Sequence, residues 1–164
     1  MNESRPIDVY LSDHLAGATG GCELAQRAAE DHSGTPLGEF FSNLATEIEQ
    51  DKNTLEDLMK RLGAQPNPLK QAGAWVMEKV TRLKLSTQTG GAPQFNALLM
   101  LETLEMGVTG KLCLWRALKE ISEASEALGS FDLDNLESRA QSQVDSLEKE
   151  RLKAAGAALA EPAS

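Results

Sequence analysis

The chain has 164 residues, enough for one domain that buries a core without disulfides or a structural metal. Its formal net charge of -9 argues against nucleic acid or an anionic membrane as partner, because both require clustered Lys and Arg. Cys22 and Cys113 lack the spacing of a zinc or redox motif, residues 1–10 carry charge and a proline where a signal peptide needs an apolar stretch, and no apolar run approaches the roughly 20 residues of a membrane span, so a cytoplasmic protein is expected.

In chain order, Pro6 stands where a first helical residue is expected, and Ile7, Leu11, Leu15, Ala18, Cys22, Ala25 and Ala29 recur at helical steps. The first helix is predicted over about 7–32, with Ser33-Gly34 as its stop. Thr35-Pro36 reads as the cap and first residue of a second helix. Its stripe runs through Leu37, Phe40, Phe41, Leu44, Ile48, Leu55, Leu58, Met59 and Leu62, and Gly63 closes it. After the Pro66-Asn67-Pro68 turn, Leu69, Ala72, Val76, Val80 and Leu83 define a third helix, fading at Thr89-Gly90-Gly91. Pro93 opens a fourth, predicted to run to about 128 because only Gly107 and Gly110 could bend it.

That fourth helix is apolar on two sides. One holds Leu98, Leu101, Leu104, Val108, Leu112 and Trp115; the other holds Leu99, Met106, Gly107, Gly110, Leu114, Ala117, Leu118 and Ile121. Two apolar faces require two neighbours. Asp132 caps a fifth helix, about 133–156, whose thin stripe of Leu133, Leu136, Ala140, Val144 and Leu147 lies between charges, before an Ala-rich tail to Ser164. Short connections make sequential helices antiparallel, so the fold expected is all-α: an up-down-up-down four-helix bundle over about 7–128 with an additional C-terminal helix.

Ionisable residues interrupt the core faces. His14 lies within the apolar arc of the first helix beside Tyr10, Gly17 and Gly21. Asp51 breaks the second stripe between Ile48 and Leu55, with Glu47 one turn earlier at its edge. Lys79 flanks the third stripe, and Glu105 sits among Leu101, Leu104, Val108 and Leu112. In antiparallel helices, His14, Asp51, Lys79 and Glu105 fall at roughly 10, 16, 15 and 8 Å from one end, close enough to meet. A buried carboxylate demands a partner, so Asp51 is expected to pair with His14 or Lys79.

Inward polar residues at mid-height on four helices resemble the ferritin-like superfamily. The resemblance implies a bundle architecture. It does not carry over a di-metal centre, because that site needs Glu-x-x-His pairs, and the residues three before His14 and His32 are Leu11 and Ala29. No cofactor and no metal site are therefore expected, and catalysis is not, since no nucleophile, oxyanion donor or phosphate loop accompanies these groups.

The first reading of His14, Glu47, Asp51, Lys79 and Glu105 is a satisfied polar network that fixes helix register. The second is a pocket in which the carboxylates hold a cation or the polar end of a small molecule, with His14 or Lys79 as donor. His32 offsets a helix C-terminal dipole, and the run from Glu137 to Lys153 reads as a solvated face. The function expected is a non-catalytic bundle acting through binding or self-assembly; the alternative is a small-molecule or metal-binding bundle. The second face of the fourth helix, with Met106, Gly107, Gly110, Leu114 and Leu118, is expected to form a homodimer interface.

Overall fold

The computed structural model describes residues 5–64 and 93–160. The predicted third helix, with Trp75 and Lys79, lies outside the described residues. Four long helices are described: α1 (Pro6–Asp31), α2 (Pro36–Arg61), α3 (Pro93–Glu120) and α4 (Leu133–Leu159). They hold 26 to 28 residues each, about 40 Å of helix. No described helix is long and apolar enough to cross a membrane.

The turn between α1 and α2 follows its sequence signals closely. Gly34 takes the left-handed conformation at φ 77, which a side chain would resist. Thr35 Oγ1 accepts a hydrogen bond from the Gly38 amide at 3.1 Å and donates to the His32 carbonyl at 2.7 Å. Gly38 is required by contact rather than by φ, since a Cβ there would lie 2.2 Å from the His32 carbonyl oxygen. At the other end of α2, Gly63 has φ 62 and the Ala64 amide donates back to the Met59 carbonyl at 2.9 Å, closing a Schellman turn.

Two boundaries differ from expectation. The fourth predicted helix ends at Glu120 rather than near 128, and the chain passes through 3-10 turns at Ser122–Ala124 and Leu128–Ser130. Serines unwind it: Ser122 Oγ donates to the Lys119 carbonyl at 2.7 Å and the Ser125 amide donates to the Ser122 carbonyl, offering the backbone an alternative to the helical ladder. Leu128, fully buried, anchors this connection.

The C-terminal helix is a full member of the four-helix body rather than an appendage. It packs along α3 and buries Leu133, Leu136, Ala140, Gln143 and Leu147. Its thin stripe suffices because its charges also engage α3: Glu137 accepts from Arg116 and from Lys119, each at 2.8 Å, and Arg151 lies 3.1 Å from Glu105. The double apolar character of α3 is explained by its two flanking neighbours, α1 and α4. Helices α1 and α2, α3 and α4, α1 and α3, and α2 and α4 form the neighbouring pairs.

The core divides into two clusters. One joins Ala25 and Ala28 of α1, Phe41 and Leu44 of α2, Met100 and Leu101 of α3, and Leu147 of α4. The other joins Leu11, then Leu55 and Leu58, Trp115 and Leu118, and Leu133 and Leu136. The late part of α1 thus meets the early parts of α2 and α3, so every neighbouring pair runs antiparallel.

Candidate functional site: a polar waist beside an apolar cleft

Between the two clusters lies a polar waist. Core positions on α2 recur at Phe41, Leu44, Ile48, Asp51, Leu55 and Leu58; on α3 at Leu101, Leu104, Val108, Lys111, Trp115 and Leu118; on α4 at Leu133, Leu136, Ala140, Gln143 and Leu147. Steps of three and four are unbroken in each series. At one level, therefore, three helices give a core position to an acid, a base and an amide.

These three residues touch. Lys111 Nζ lies 2.6 Å from Asp51 Oδ2 and also donates to Gln143 Oε1. The Gln143 amide donates to Glu47 Oε2 at 2.8 Å and reaches Asp51 Oδ2 at 3.4 Å. Arg139, one turn earlier on α4, places Nη2 2.9 Å from Asp51 Oδ1 as an ion pair without hydrogen-bond alignment. Asp51 is 2% exposed and Gln143 4%, so the carboxylate is compensated by two cations and an amide rather than by water. Burial pushes the Lys111 ammonium below the ordinary lysine range, opposed by the Asp51 carboxylate and reinforced by Arg139.

Of the residues singled out from sequence, Glu47 and Asp51 join this waist. Lys79 lies outside the described residues. His14 does not pair with Asp51; its ring packs edge-on against Tyr10 at 4.6 Å, and burial pushes its pKa down, with the Asp13 charge opposing. Glu105 stands six residues from Lys111, about 9 Å along α3, and pairs with Arg151 instead. Burial raises the Glu105 pKa, Glu148 adds to the rise, and Arg151 opposes it. Asp51 does find a charged partner, but the partner is Lys111, with Arg139.

Beside the waist, a cleft of about 570 Å³ opens between α1 and α3, floored by α2. His14, Asp51 and Lys111 all line it. Its walls are otherwise mainly apolar or bare backbone: Leu24, Ile48, Leu104, Leu114, Trp115 and a set of glycines. Among the described residues, a Cβ added at Gly17, Gly107 or Gly110 would meet nothing within 4 Å, so no described helix packs tightly against these glycines. The large apolar side chains Val9 and Met106, the latter 43% exposed, stand at its edges.

The homodimer face drawn from sequence is split by the structure. Leu114 and Leu118 are buried within the chain, in the cluster that holds Leu133, Leu136 and Ala140 of α4, whereas Met106 and Gly107 are exposed and Gly110 lies half-buried on the cleft. Among the described residues, no three or more His, Cys, Asp or Glu side chains converge as a metal site would require. No protein-family model, curated protein or solved structure matches this chain.

Proposed function

We propose that this is a non-catalytic binding protein whose cleft between α1 and α3 accepts a small molecule with a largely apolar body. The observation that carries this reading is the unfilled, glycine-lined cleft. A glycine inside a helix costs about 1 kcal/mol relative to alanine, and Gly17, Gly107 and Gly110 recover nothing through close packing against another described element. The cleft's volume lies within the usual range of ligand sites, and its few polar groups converge at one level. The waist supplies rigidity: its charges are paired with one another and hold the walls in register. The ferritin-like resemblance contributes architecture to this reading and no chemistry.

The test is binding of an environment-sensitive anilinonaphthalene dye by the folded protein. One dye per chain is expected, and Gly17→Leu, which extends a side chain into the open space, should abolish the binding while leaving helicity intact. Failure to bind, or binding indifferent to Gly17→Leu, would remove the cleft as the functional site.

A second reading is self-association, with another copy of the chain covering the same cleft. The exposed Val9, Tyr10 and Met106 side chains favour it, as they form an apolar margin on α1 and α3. Sedimentation at tens of micromolar decides: a dimer that Met106→Arg converts to helical monomers supports this reading, and a wild-type monomer eliminates it.

A further inference from the structure

One donor in the cleft wall has no use within the described fold. Trp115 is 0% exposed, lines the cleft, and its Nε1 has no hydrogen-bond partner among the described residues. An indole N–H is a donor only, and leaving it unmet while buried is unfavourable. One turn away on the same helix stands Lys111, whose ammonium carries three protons. Among the described residues, Asp51 and Gln143 take two of them, leaving one further donor at a residue that lines the same cleft.

The waist anions, Asp51 and Glu47, are answered by two cations, Lys111 and Arg139, and Lys52 also lines the cleft. Asp13 lines it too, but is exposed, where water screens it. Among the described residues, unmet donors therefore lie at the waist, where the charges balance. From that level toward Leu24 and Thr103 the lining is dominated by Gly21, Leu104 and Gly107, with no further ionisable side chain among the described residues. The α3 wall from Thr103 to Trp115 is about 18 Å long by the helical rise.

Resting on the binding function proposed above, we infer that the occupant is a linear aliphatic carboxylate of the fatty-acid class, its head held by Trp115 Nε1 and Lys111 and its chain laid over Gly21 and Gly107 toward Leu24. A carboxylate fits because it accepts several hydrogen bonds at once, here from one cationic and one neutral donor. An aliphatic chain fits because the rest of the described wall is mainly apolar or bare backbone, and its one hydroxyl, Thr103 Oγ1, already donates to the Leu99 carbonyl.

The experiment is calorimetric titration of the full-length protein with laurate, dodecanol and dodecylamine, each below its micelle concentration. Laurate should bind one per chain and at least about tenfold more tightly than either analogue, the value of one charge-assisted hydrogen bond. Trp115→Phe should cost laurate about tenfold and leave dodecanol nearly unchanged. Gly107→Leu should abolish binding of all three without lowering the melting temperature. Equal affinity for the three probes overturns the carboxylate head while leaving an apolar-binding cleft in place; this comparison uses the unaltered protein and does not depend on how Trp115→Phe folds. Laurate binding that survives Gly107→Leu overturns the placement, and binding of none of the three, or a cleft closed by a second copy of the chain, overturns both this inference and the function beneath it.

Discussion

Lys111 Nζ lies 2.6 Å from Asp51 Oδ2 across the diagonal of the bundle, joining α2 to α3, which are not neighbours. The pair therefore links two helices whose surfaces are otherwise held together through α1 and α4. Each charge alone would be costly there, and each is sustained by the other.

That interdependence predicts strong coupling in a double-mutant cycle. Asp51→Leu strands Lys111 and should lose about 3–5 kcal/mol in urea denaturation, whereas Lys111→Met leaves Asp51 with Arg139 as its remaining cation and should lose less. The double variant should recover most of that loss, since two apolar side chains replace a desolvated pair. Losses that simply add would refute the coupling.

His14 sets a pH dependence with a definite sign. Its folded pKa lies below the ordinary value because burial disfavours the imidazolium. The unfolded chain therefore takes up the proton first, and stability is lost as pH falls from about 6.5 toward the lower folded pKa. Thermal melts across that window should show the decline, and His14→Gln should reduce it. An unchanged slope in the variant would assign the decline elsewhere.

The glycines separate into two kinds that alanine should distinguish. Gly38→Ala drives a Cβ into the His32 carbonyl and should destabilise by about 1–3 kcal/mol, like other overpacking changes. Gly107→Ala meets no described residue within 4 Å and should raise stability by about 1 kcal/mol through helix propensity. Melting of both variants beside wild type checks the pair; a destabilised Gly107→Ala would mean that the cleft is filled in solution.

Much of the architecture was legible because local signals and packing agreed. Thr35-Pro36, Gly63 and Asp132 act where their chemistry says they should, as two caps and a stop. Asp51 was recognisable as a core acid because nothing apolar competes with it in its stripe. Lys111 and Gln143 were missed for a physical reason. The long stem of a lysine counts as apolar surface when its ammonium finds a partner, so Lys111 continues the Leu104, Val108, Trp115 series without looking like a member. Gln143 looks like a surface amide in a thin stripe, although its step from Ala140 and to Leu147 keeps the heptad. The charges of α4 resemble a solvated face in sequence, whereas Glu137 and Arg151 use theirs to dock on α3.

The polar waist also acts as a ruler. In a bundle of leucine-rich stripes, sliding a helix by one heptad, about 10 Å, exchanges one apolar side chain for another and costs little specificity. Here each such slide is detectable. Moving α2 replaces Asp51 by Leu44 or Leu58, and moving α3 replaces Lys111 by Leu104 or Leu118. Moving α4 replaces Gln143 by Leu136, which deprives Lys111 of its amide, or by Glu150, which sets a further carboxylate beside Asp51. Only one alignment of the three helices satisfies all three polar groups, so the chain carries a proofreading mark for its own assembly at mid-height, where a slipped bundle would otherwise be hardest to tell from a correct one.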